Sequence, residues 1–178
     1  MAVLPEVERY DGLARSLHWL TVALIAAQFA IAWTMPDIHR GTQPTGLIAW
    51  HLGVGTAILA VALARLGRRL VHGAPAAPAT LSPTLQAVSR FTHGALYALL
   101  VVLPLLGWAN ASSRGWPVSL FGILPLPALA HKGSTLGHAL GDIHRIAAWV
   151  LLGLIALHVL GALYHLLIVR DRTVQRMV

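Results

Sequence analysis

Residues 142–170 read DIHRIAAWVLLGLIALHVLGALYHLLIVR, an apolar run that carries His144, His158 and His165. A bilayer span needs roughly 20 residues, so this stretch can cross a membrane. Separations of 14 and seven residues, at about 100° per residue, return each imidazole to within roughly 60° of the first. The three histidines therefore share one stripe. At 1.5 Å rise per residue, His144 and His158 stand ~21 Å apart along the axis, too far to bind one metal or one substrate. They read as anchors for two separate centres.

The rest of the chain agrees with a membrane setting. Of its 178 residues, 57% are hydrophobic and 11% charged, with a mean hydropathy of +0.70, against about 25% charged residues in soluble domains. The formal charge of +7 is explained by loop distribution, and no nucleic-acid partner is expected. There is no cysteine, which excludes disulfides, thiolate-held iron–sulfur clusters and covalent c-type haem. Glu6, Glu8 and Asp11 take the place of a basic signal-peptide n-region, so no signal peptide is expected.

Four spans are expected, at about residues 17–35, 47–66, 92–109 and 143–169, within a single domain covering 1–178. The segment 67–90, with its GAPAAPATLSP stretch, reads as a loop, and Pro104 as a kink in the third span. Residues 110–141 are too rich in proline to span and read as an interfacial or re-entrant cap. Arg9, Arg15, Arg65, Arg68, Arg69, Arg90, Arg170, Arg172 and Arg176 fall on one side; Arg40, Arg114, Lys132 and Arg145 fall on the other. The positive-inside rule then places both termini in the cytoplasm.

That topology pairs the histidines. His18 and His158 fall toward the inner side, and His51 and His144 toward the outer side. Two imidazole pairs at two depths suit two b haems in the core of an all-α four-helix bundle, each with histidine on both axial positions, an arrangement that favours electron transfer over oxygen binding. Gly53, Gly55, Gly153 and Gly161 would let flat ring systems approach the helices. Arg145 directly follows an outer ligand and is a candidate haem-propionate partner; Arg65 could serve likewise or act as a membrane anchor. His93 and His165 have no outer partner, and each is either a structural histidine or part of a quinone or proton site. His39, His72, His131 and His138 fall in expected loops. Trp33, Trp50, Trp108 and Trp116 sit near span ends, as interfacial aromatics do.

The motifs SLHWL at His18, WHLGVG at His51, RLGRRL, THGALY at His93, RGWPVSLFGILPLP and LHVLGALYHLLIVRDRTVQRM together resemble the bacterial cytochrome b561 family. The resemblance implies a di-haem b protein of the bacterial inner membrane, with His18, His51, His144 and His158 as haem ligands. It also implies transfer of electrons between the outer face and membrane ubiquinone, and one branch looks like a superoxide oxidase. Where that family often has a second histidine, this chain has Tyr164. Two other readings remain: a cytochrome b subunit anchoring a dehydrogenase or hydrogenase, in which only the partner differs, and, from another class, a transporter using histidine for metal or protons, which would need ligands converging at one depth.

Overall fold

The computed structural model describes residues 9–39, 41–73 and 82–178. Glu6, Glu8, Arg40 and the proline/alanine stretch at 74–81 lie outside the described residues. Four long helices form: α1 (Gly12–Thr34), α2 (Leu47–His72), α3 (Pro83–Ser113) and α4 (Thr135–Tyr164). A π-helical turn, His165–Val169, continues α4. All four are long and apolar enough to cross a membrane, so the chain is an all-α membrane protein built as a four-span bundle.

Local chemistry sets the helix starts. Asp11 caps α1 by accepting from the Ala14 amide at 3.0 Å. Ser82 caps α3 with Pro83 in the first turn, and Ser134 caps α4 by accepting from the Gly137 amide at 3.1 Å. These two caps correct the expected boundaries. Helix α3 begins at Pro83 rather than near Thr92, and α4 at Thr135 rather than near Ile143, because a capped helix continues past the apolar window that marks its membrane portion. His72 and His138, expected in loops, consequently lie on α2 and α4. Helix α3 runs unbroken through Pro104.

Between α3 and α4 the chain forms an antiparallel hairpin, β1 (Val118–Leu120) with β2 (Leu124–Leu126). Val118 is buried, and the Phe121 ring lies where a side chain on Gly53 would project, 2.8 Å from the position of an added Cβ. The hairpin therefore sits on α2, and Gly53 is what lets it approach so closely.

Packing divides the bundle. Helix α1 packs on α2, α3 packs on α4, and the two pairs join where α2 meets α3. The core at that junction is Val54, Ile58, Ala62 and Leu100, backed by Leu24, Ile25, Ile31 and Val101. Buried threonines at 21, 56 and 92 donate their hydroxyls to carbonyls of their own helix, so small polar side chains sit at the helix contacts at no cost in unsatisfied groups. Within α4 only Gly137 and Leu151 are buried. Its exposed Ile146, Trp149, Val150, Leu157, Val159 and Leu160 form a lipid-facing surface, the ordinary state of apolar side chains in a bilayer.

At the start of the α3–α4 contact, added Cβ atoms on Gly137 and Gly141 would lie 2.5 Å from Ser113 Cβ and Asn110 Nδ2 respectively. This Gly-x-x-x-Gly face lets α4 close on α3, and Asn110 Nδ2 donates to the Gly137 and His138 carbonyls.

Candidate functional site

Four spans bring the start of α1 and the end of α4 to one face of the bundle, called here the terminal face; the β-hairpin marks the opposite, hairpin face. Helix α4 makes no extensive backbone contact with α1 or α2. Imidazoles bridge that interval at two levels. His18 on α1 faces His158 on α4 with ring centres 6.3 Å apart and planes at 72°. His51 on α2 faces His144 on α4 at 6.1 Å and 75°.

These separations can be tested against ligation. With a first-row metal ~2.0–2.1 Å from an imidazole nitrogen, and the ring centre ~1.1 Å further on, two rings on opposite sides of one metal stand ~6.3 Å centre to centre. Both pairs have that spacing. His93 on α3 also contacts His158, but at 5.1 Å and 88°, too close for the same arrangement. Among the described residues no group of three or more His, Asp or Glu converges on one point, so each pair suits a group that brings its own equatorial ligands, as a porphyrin does.

The hairpin-face pair is held by specific partners. His144 Nδ1 donates to the Leu103 carbonyl at 2.9 Å, which leaves Nε2 with a free lone pair, the tautomer a metal ligand needs. The ring reaches that carbonyl because position 107 is glycine: an added Cβ would stand 3.0 Å from His144 Cε1. Opposite it, Gln28 donates from Nε2 to the His51 carbonyl at 3.1 Å and lies 3.3 Å from His51 Nε2. His51 Nδ1 is buried without a partner. A buried unsatisfied ring nitrogen is costly, and a metal centre between the rings is a chemically suitable partner for this donor set.

At the terminal face, Arg65 lies 3.1 Å from His18 Nδ1 and over the Tyr97 ring at 5.5 Å. Beside it His93 Nδ1 donates to the Ser89 carbonyl at 2.7 Å. Gly94 and Tyr97 help to line a groove of about 680 Å³ between α2 and α3, with Leu66, Ala98 and Val101.

Other expectations are met differently. His165 opens the π-turn that continues α4 and stands against Tyr164, ring centres 6.0 Å apart. Its Nδ1 donates to Asp171 Oδ2 at 2.8 Å. Burial would raise the Asp171 carboxyl, but hydrogen bonds from Thr173 and His165 outweigh it and hold the group below its ordinary value. Arg145 is 76% exposed and bonded to Asp142 at 3.3 Å. Gly53 and Gly55 do not face open space: the first is covered by Phe121 and the second by Gln28, whereas Gly153 and Gly161 have nothing within 4 Å of an added Cβ. Sequence reasoning missed Gly107, the Leu103 carbonyl and Gln28. Only Gln28, a lone amide in an apolar span, carried a visible signal.

Comparison with known proteins bears on this arrangement. The sequence profile described as "Prokaryotic cytochrome b561" matches residues 9–178. The chain belongs to the prokaryotic cytochrome b561 family. It is similar to "Cytochrome b561 homolog 2" of Escherichia coli, at 28% identity over 96% of this chain and 91% of that one. It is 29% identical to "Probable superoxide oxidase CybB" of Yersinia pestis, over 96% of each. "Cytochrome b562" of Cereibacter sphaeroides is 27% identical over 94% of each. As a member of the cytochrome b561 family the chain is a bacterial membrane electron-transfer protein that binds haem b.

Proposed function

We propose that the chain binds two haem b groups, one at each histidine pair, and passes electrons from a one-electron donor at the hairpin face to ubiquinone at the terminal face. The ring spacing of both pairs supports this reading. His51 and His144 would hold one haem and His18 and His158 the other; when bound, haem supplies a one-electron redox centre at each level. Both termini then lie in the cytoplasm, in keeping with the arginine-rich terminal face, and the hairpin faces the periplasm.

Superoxide is the donor we favour. Arg114, Lys132 and Arg145 at the hairpin face attract a small anion; Arg114 is braced by Asn110 and the Trp116 ring. The balance is two superoxide anions oxidised to two O2 for each ubiquinone that takes two electrons and two protons to become ubiquinol. His93 is the favoured quinone contact. With its proton on Nδ1, its Nε2 is an acceptor, and its ring stands 5.1 Å from that of His158 on α4. His165, oriented by Asp171, is the second candidate for proton handling. Arg145 would reach a propionate only by leaving Asp142.

The purified protein should show two haems per chain, with His51→Ala and His18→Ala each losing a different one; one haem or none in the unmodified protein overturns the reading. Mixing oxidised protein with superoxide should reduce it faster than in the presence of dismutase. Equal rates remove superoxide as the donor.

A further inference from the structure

Arg65 is a half-buried cation within a membrane span, and no described carboxylate answers it. Of the four side-chain carboxylates among the described residues, Asp11 pairs with Arg68 at 2.6 Å, Asp142 with Arg145 and Asp171 with His165, while Asp37 follows α1 at the hairpin face; the Val178 carboxyl accepts from Arg15. A charge at this depth without a counter-ion is unfavourable, and such groups mark binding sites. What Arg65 meets instead are neutral groups: Tyr97, whose ring lies 5.5 Å away and whose hydroxyl is a hydrogen-bond partner, and His18 Nδ1.

The His18 contact is incompatible with ligation. A guanidinium only donates, so at 3.1 Å it uses the Nδ1 lone pair and leaves the ring proton on Nε2. Ligation through Nε2 puts that proton on Nδ1, and ligation through Nδ1 takes the lone pair itself. Either way Arg65 must turn to another acceptor within reach of the His18–His158 pair. The hairpin-face pair has no such cation among the described residues: Gln28, 3.3 Å from His51 Nε2, is an uncharged amide, and Arg145 is exposed and already paired.

We propose that Arg65 binds a haem propionate at the terminal-face pair and that this cation makes the two centres unequal. The assignment rests on the reading that both pairs hold haem. Carboxylate and lipid phosphate share the chemistry that Arg65 recognises, and the propionate is favoured because Arg65 meets the ligand ring itself. A cation offsetting the propionate at one centre stabilises its reduced form, so an electron arriving from the hairpin face runs downhill toward the terminal face.

The test is potentiometric titration of the purified protein in neutral phosphatidylcholine nanodiscs. In Arg65→Gln, the reduced-to-oxidised ratio of one haem at fixed ambient potential should fall about tenfold, equivalent to ~59 mV for one electron. Arg65→Lys should stay within about threefold of the unmodified protein, because it keeps a point charge. Arg69→Gln, which removes an exposed charge one turn further along α2, should not move either haem. In a His18→Ala background the remaining haem should not respond to Arg65→Gln. No shift in Arg65→Gln, equal shifts in both haems, or an Arg65→Lys protein as displaced as Arg65→Gln overturns the proposal. If Arg65→Gln loses haem, loss of one with retention in Arg65→Lys supports it and loss of both overturns it. A shift seen only when phosphatidylglycerol is added assigns the anion to a headgroup and overturns the propionate assignment. Fewer than two haems in the unmodified protein defeats the underlying reading instead.

Discussion

Gly107→Ala separates the needs of the fold from those of the hairpin-face site. Within a helix, alanine is favoured over glycine by about 1 kcal/mol, so the fold alone should gain. The new methyl, however, would stand 3.0 Å from His144 Cε1 and 3.1 Å from Nδ1, where carbon contacts settle at ~3.5–4.0 Å. The ring must retreat by roughly 0.5 Å, which stretches its 2.9 Å bond to the Leu103 carbonyl past the ~3.2 Å limit of a good N–H···O bond. Overpacking of this kind costs about 1–3 kcal/mol. Loss of a ligand's orienting partner weakens metal binding roughly 10–100-fold, or ~1.4–2.8 kcal/mol. Haem transfer from the purified protein to excess apomyoglobin measures this directly. One haem per chain should leave 10- to 100-fold more readily while the other keeps its rate; the thermal midpoint should hold or fall slightly, since the ~1 kcal/mol gained by alanine offsets only the low end of the overpacking cost. Two haems leaving at unmodified rates, or both accelerated together, would refute the reasoning.

Three further outcomes follow from particular contacts. The hydrogen bond from Arg68, with that from the Ala14 amide, holds the Asp11 carboxyl down to about 2. Its folded value lies below its unfolded one, so its contribution is present above pH ~4 and lost as pH falls through about 2. The thermal midpoint of the unmodified protein should therefore fall faster over that window than that of Asp11→Asn, and parallel curves would count against the Asp11–Arg68 link. Gly141→Leu places its side chain where Asn110 Nδ2 lies, 2.5 Å from the added Cβ, and should destabilise the α3–α4 contact by about 1–3 kcal/mol; an unchanged midpoint in detergent argues against that packing. His93→Leu should keep both haems yet slow reoxidation by a soluble ubiquinone analogue, and an unchanged rate would remove His93 from the quinone site.

The histidine stripe on residues 142–170, the four apolar runs and the basic residues beside them were legible in sequence because a bilayer imposes its period and length on any span. From those, helix number and the division of His18, His51, His144 and His158 into two levels follow by counting residues. Helix starts were less legible: Ser82 and Ser134 act through hydrogen bonds outside the apolar window. The π-turn that continues α4 past Tyr164 was not legible either, because it leaves no hydropathy signal. Side-chain partners between helices were not legible at all. That Gly107 clears a path to the Leu103 carbonyl, that Gln28 meets His51, and that Arg65 meets His18 while Arg68 takes Asp11 depend on how all four helices rotate about their own axes. Sequence alone thus determined which histidines fall at two levels of the bundle and at what separation along α4. Only the packed bundle decided which rings face each other, what orients each one, and which arginine has no carboxylate among the described residues, because those are relations between helices set by small residues at their contacts.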